Sequence, residues 1–167
     1  MPIKNVPVTT NDPVVNLDRN DIEQRGEWFY FIVEEAKKNN VDWEAITRPA
    51  VRKVGQVRGA RQFANVDTDD FHAVAETFTS NLPRMTSFEK ELVKCTDDEI
   101  IIDHHYCPLL AAWQKQTDDQ EVLCKYCDIA MEGDRGIFEN IKGATFHLDS
   151  TLAEGDPVCR LRITKNK

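Results

Sequence analysis

The sequence predicts an α+β fold: a helical N-terminal part followed by a mostly antiparallel sheet of about four strands, with helices packed on one face. Three observations carry that expectation. Apolar residues recur at helical spacing up to about Phe78. Beyond Met85 the pattern changes to alternation around the polar turn Thr96-Asp97-Asp98-Glu99. A second alternating pair closes the chain around Glu154-Gly155-Asp156-Pro157.

Residues 1–19, with Pro2, Pro7 and Pro13, read as an irregular N-terminal arm, and residues 20–167 as a single α+β domain. The first helix is predicted from Asp21 to Lys38, with Ile22, Phe29, Ile32, Val33 and Ala36 on one stripe. Asp42 is placed to cap a second helix towards Arg58, with Ile46, Ala50, Val51, Val54 and Val57 inward and a kink or a restart at Pro49. A third begins near Asp67–Asp70, carries Phe71, Val74, Ala75 and Phe78, and ends at Asn81-Leu82-Pro83. Strands are predicted over Met85–Lys94 and Ile100–Tyr106. In the second, Ile100, Ile102, His104 and Tyr106 share one face, and Ile101, Asp103, His105 and Cys107 the other. Pro108 opens a short helix to Trp113. Asp118 or Asp119 opens another to Met131, with Gly133 near its C-cap. The last strands, Ala144–Ser150 and Val158–Thr164, turn Phe146, Leu148, Cys159, Leu161 and Ile163 inward.

Composition narrows the function classes. The formal net charge of −8 argues against sequence-independent nucleic-acid binding, which needs a concentrated basic face. No apolar run approaches the roughly 18 residues of a membrane span. The N-terminus lacks the basic-then-apolar order of a signal peptide, so a cytoplasmic location is expected. There the five cysteines (Cys95, Cys107, Cys124, Cys127 and Cys159) are expected as reduced thiols. The expected partner is a small-molecule substrate, and the sequence is compatible with an oligomer.

Three readings of the thiols stand side by side: core hydrophobes, a metal or iron–sulfur site from Cys107, Cys127 and Cys159, and a nucleophilic thiolate paired with a histidine. No cofactor is required by the sequence. Cys124 and Cys127 share a helix face, and Cys107 sits at a strand-to-helix junction that can lower a thiol pKa. His105, on the predicted face of Cys107, is the preferred base or ligand over His104, His147 and His72. Asp128 and Glu132 stand at i,i+4, where like charges repel, which suits either a cation site or a solvated face. Arg135 can pair with Glu132 or bind an anionic group.

Three segments carry a resemblance. They are His105-Tyr-Cys107-Pro-Leu-Leu-Ala-Ala-Trp113, Leu123-Cys-Lys-Tyr-Cys127-Asp-Ile-Ala-Met-Glu-Gly-Asp134-Arg135, and Thr151-Leu-Ala-Glu-Gly-Asp156-Pro-Val-Cys159-Arg-Leu-Arg-Ile163. Together they resemble the L-2-amino-thiazoline-4-carboxylic acid hydrolase family over roughly residues 60–165. The closing hairpin more distantly resembles small-molecule-sensing domains. The resemblance implies a hydrolase acting on the C–N bond of a small cyclic amidine-like substrate. Cys107, Cys127 and Cys159 resemble the family's recurring cysteines, with Cys124 an addition. On that footing Cys107 is the expected nucleophile or metal ligand, and His105 or Asp128 the proton carrier. Glu132 and Asp134 would hold the amidinium and Arg135 a carboxylate, with Cys127 as a helper. A small-molecule-binding sensory domain and a cysteine-ligated metal protein are the alternatives.

Overall fold

The computed structural model describes residues 2–166. Its elements run α1 (Pro13–Lys38), α2 (Trp43–Gln62), α3 (Phe71–Thr79), α4 (Leu82–Ser87), β1 (Lys90–Cys95), β2 (Glu99–His104), α5 (Pro108–Gln114), α6 (Gln120–Phe138), β3 (Ala144–Ser150) and β4 (Cys159–Lys165). The strands form one antiparallel sheet in the order β1-β2-β4-β3. The α+β class, the helical N-terminal part and the antiparallel sheet are as the sequence predicts.

Several boundaries differ. α1 begins at Pro13 rather than Asp21, because Asp12 accepts hydrogen bonds from the Val14 and Val15 N–H groups and Pro13 needs no donor in the first turn. Asn81 does not close the third helix. It caps α4, which occupies residues predicted as the start of β1. α6 runs past Gly133 to Phe138, so that glycine is a packing position and not a cap. Pro49 lies inside an uninterrupted α2.

The largest correction concerns α2. Ile46 and Val54 are each 58% exposed, and Val57 is also exposed. The face that packs holds Gly55 and Gly59, set against Gly133, Gly136 and Ile137 of α6. Small residues let the two helix backbones approach closely, and the apolar stripe is thereby turned outward. On α1, Ile22 and Val33 are buried as predicted, while Ile32 is exposed with Trp28 and Phe31.

The helix-facing side of the sheet carries Ile100, Ile102, Leu161 and Ile163, all essentially without exposure. The opposite side is polar, with Asp103 accepting two hydrogen bonds from Arg160 and Asp149 two from Arg162. A buried Arg19 ties the N-terminal arm to the entry of β1. It donates to the Ser87 and Thr9 carbonyls, pairs with Glu89 at 3.0 Å and lies over the Tyr106 ring. Glu89, at φ 48°, also accepts from the Val8 and Thr9 N–H groups.

Candidate functional site

One end of the sheet breaks its apolar pattern. Lys90 stands directly opposite His104, and His104 directly opposite Cys159. Side chains directly opposite on antiparallel strands project from the same face, with Cβ atoms about 4.5–5.5 Å apart. Lys90, His104 and Cys159 therefore form a transverse polar row where the neighbouring rows are isoleucine and leucine. His104 is 6% exposed, and its Nε2 has no hydrogen-bond partner among the described residues. Burial, then the nearby Lys90 charge, holds its pKa well below the usual imidazole range, so the ring is neutral at pH 7.

Helix α6 lies over this row. Cys127, Met131, Asp134 and Phe138 follow the 4-3-4 spacing of a single helical stripe, and all but Asp134 are buried apolar positions. Cys127 and Cys159 are close neighbours whose thiols interact. That contact raises Cys127 and, together with the Leu152 N–H at 3.2 Å, lowers Cys159. Cys107 reaches the cluster from the N-cap of α5. Its backbone is pinned by Asn5, which accepts from the Cys107 N–H at 2.8 Å and donates to its carbonyl at 2.9 Å. Burial pushes the Cys107 thiol up to about 12, outweighing the hydrogen bonds from the α5 N–H groups. Cys124 does not join the others, since its thiol donates to the Ala153 carbonyl at 3.2 Å.

Asp134 makes no hydrogen bond or ion pair among the described residues. Burial raises its pKa against the pull of Lys90, Arg58, Arg25 and Arg135. Burial likewise depresses Lys90 to about 8. Lys90 and Asp134 are thus the charged groups where α6 meets the polar end of the sheet. The Cys107, Cys127 and Cys159 thiols neighbour one another beside them.

The other residues singled out in the sequence lie elsewhere. His105 is past the end of β2, where its Nε2 sits 3.0 Å from Glu91 on the exposed edge, while Cys107 turns inward. The period-2 register does not reach Cys107, because the chain leaves the sheet at His104. Asp128, Glu132 and Arg135 line the α2 side of α6. Asp128 accepts from Arg48 at 2.7 Å and from Arg135 at 2.9 Å, and Glu132 from Arg52 at 2.7 Å and Arg135 at 2.8 Å. Burial alone would raise Asp128, but its two arginine hydrogen bonds hold it low. The like charges at i,i+4 are thus neutralised by an interhelical network. Among the described residues no group of three or more His, Cys, Asp or Glu side chains is placed to hold a metal ion.

Sequence reasoning passed over Lys90 and His104 as site residues. His104 did leave a signal, a histidine alternating with Ile100 and Ile102 on a core-facing strand. Lys90 left none, because its place opposite His104 depends on register across the hairpin.

The fold defines a class: an α+β domain in which helices cover one face of an antiparallel sheet and bury thiols and an imidazole at its end. The chain belongs to the L-2-amino-thiazoline-4-carboxylic acid hydrolase family, whose model matches residues 21–163 and so takes in the helical N-terminal part as well. No curated protein matches the sequence. Among solved structures the chain is similar to a trafficking protein particle complex subunit 3 from Naegleria fowleri, covalently bound to palmitic acid. That likeness has 16% identity and a TM-score of 0.56, and covers 89% of this chain and 97% of the other. At that identity the likeness concerns the fold. No helix is long and apolar enough to cross a membrane.

Proposed function

We propose that this chain is a hydrolase acting on the C–N bond of a small cyclic amidine-like substrate, with its chemistry carried by the groups where the polar sheet row meets α6. The observation that carries this reading is the His104–Cys159 pair on adjacent strands, in register, beneath Asp134. Asp134 is the acceptor for the amidinium, whose N–H groups would satisfy a carboxylate that now has no donor. Cys159, its pKa lowered by the Cys127 thiol, is the better-prepared nucleophile. Cys107, held protonated by burial, is the alternative one. His104 is the proton carrier, taking the role expected of His105, because it is neutral, has an unpaired Nε2 and stands opposite Cys159 in the sheet. The sulfur bonds to the amidine carbon as the C–N bond breaks, and the thiol proton passes through His104 to the departing nitrogen. Water then adds its oxygen to that carbon, releases the sulfur and returns a proton to it.

A second reading, a binding domain without turnover, is favoured by one observation: the Cys107 thiol is un-ionised at neutral pH. Ring opening of 2-aminothiazoline-4-carboxylate, followed by loss of its ultraviolet absorbance, separates the two. Cys159→Ala is expected to abolish turnover and Cys107→Ala to slow it, with both variants folded by circular dichroism. Full activity in Cys159→Ala with none in Cys107→Ala moves the nucleophile to Cys107. Saturable binding with no turnover in the wild-type protein establishes the binding domain instead.

A further inference from the structure

The outer surface of the two long N-terminal helices is unusually apolar. On α1, Leu17, Trp28, Phe31 and Ile32 are each more than half exposed, and so are Ile46 and Val54 on α2. They follow a pattern. Leu17, Gln24 and Phe31 recur every seven residues along α1, with Trp28 in the same seam, and Ile46, Lys53 and Ala60 recur every seven along α2. That is the spacing of a helix face that packs on another helix. Here both seams face solvent, because α1 buries its other side on α4 and α5, and α2 its glycine side on α6. The two seams are neighbours. Residues 39–42 join the helices at one end, and further along Arg25 and Arg58 lie within electrostatic reach of each other. The helices thus run antiparallel, side by side, and present one broad face.

The size of that face matches an interface. An aromatic side chain carries about 150–250 Å², so the bare fractions of these six residues come to roughly 700 Å², above the roughly 300–600 Å² patch of an ordinary monomer. Val57 and the seam alanines bring it to the ~800 Å² per partner of a stable complex. Its charges are self-complementary. Among the described residues Asp21 and Glu27 of α1, and Lys53, Arg58 and Arg61 of α2, make no ion pair, while Arg25 is drawn electrostatically by Asp134 in its own chain. A two-fold axis running along and between the helices lays α1 of one copy on α2 of the other, so acids meet bases twice. Since Arg25 lies near Arg58, Asp21 one turn earlier stands level with Arg61, and the axis preserves that level across the interface. An anionic lipid surface would instead meet the acids of α1 and a chain of net charge −8.

We propose that the outer faces of α1 and α2 form the interface of a symmetric homodimer, with α1 of each copy packed antiparallel on α2 of the other. The four helices then bury a shared apolar layer, with Trp28 as its anchor and Asp21–Arg61 pairs at its edge. Dimerisation accounts for the arrangement of α2, which turns glycines to α6 and keeps isoleucine and valine outside. The interface lies on the side of α2 away from α6, and it stands independently of the hydrolase reading.

Sedimentation equilibrium of the full chain, with circular dichroism of each variant, tests the interface. The wild-type protein is expected to sediment at twice the chain mass at micromolar concentration. Trp28→Glu and Val54→Glu are each expected to weaken the dimer about thirtyfold or more, the scale of a lost hot-spot residue. Both side chains are exposed in the single chain, so the fold should survive. Leu92→Glu, at an exposed apolar position on β1 away from this face, is expected to leave the dimer unchanged. Asp21→Arg should weaken association, and adding Arg61→Asp in the same chain should restore it. A monomeric wild-type protein overturns the interface, as does a dimer indifferent to Trp28→Glu and Val54→Glu. A monomer that floats with phosphatidylcholine–phosphatidylserine vesicles makes the face a membrane contact instead and overturns it too. Failure of the double charge reversal to restore association overturns the packing of α1 on α2.

Discussion

Two glycines at the same helix–helix crossing are expected to respond to alanine with opposite signs. A Cβ built on Gly55 of α2 would overlap the Gly133 carbonyl oxygen and fall 3.0 Å from the Gly136 Cα. Both obstacles are backbone, so relief requires α2 to move away from α6. A Cβ on Gly133 would meet only the Val51 Cγ1, at an ordinary 3.7 Å. Intrinsic helix propensity favours alanine over glycine by about 1 kcal/mol at either site. For Gly133→Ala that gain stands, giving about 0.5–1 kcal/mol of added stability. For Gly55→Ala it is opposed by overpacking, typically about 1–3 kcal/mol and here at the upper end because no side chain can yield. The net loss is about 2 kcal/mol. It would be accompanied by weakening of the Arg48–Asp128 and Arg52–Glu132 pairs, which span the same crossing. In a domain of this size each kcal/mol moves Tm by about 2–4 °C. Urea melts should show the two midpoints displaced in opposite directions with m unchanged. Stabilisation by Gly55→Ala would show that α2 and α6 are not in backbone contact, and with it the outward placement of Ile46 and Val54 would fall.

Two further predictions concern charges. Arg19→Ala should cost about 3 kcal/mol. That is the low end for breaking a buried pair, because Glu89 keeps its hydrogen bonds from the Val8 and Thr9 N–H groups, and a loss below about 1 kcal/mol in a urea melt would refute the strap role of Arg19. Asp134 has its folded pKa raised by burial, so its contribution to stability is full at acid pH and is lost as pH rises through that raised pKa. Asp134→Asn should therefore be at least as stable as the wild type at pH 7, with a difference in Tm that grows on raising the pH through the carboxylate range, while turnover is lost. A variant less stable than the wild type at pH 7 would mean that Asp134 is satisfied within the fold and is not waiting for a ligand.

The α+β class, most element cores and the caps at Asp42, Asp70 and Asp119 were legible from the amino acids because they are local: a carboxylate accepts from N–H groups two or three residues on. The same locality made the acidic pair Asp128 and Glu132 visible but concealed its arginines, Arg48 and Arg52, which come from a helix far away in the chain. Periodicity misled on α2, where the outward face is apolar and the packed face holds glycines, because a pattern of apolar residues records what can be buried and not what is. It misled again at His105, since alternation holds only while the chain remains in the sheet.

What the sequence determined by itself is most of the elements, α4 excepted, and the family segments that contain Cys107, Cys127, Cys159 and Asp134. Only the tertiary structure decided which of these face one another. The row Lys90–His104–Cys159 draws on three strands, and its alignment follows from hydrogen-bond register between segments up to some seventy positions apart. Register is a property of pairing, set by turns and by the burial of whole faces, and no single segment encodes it.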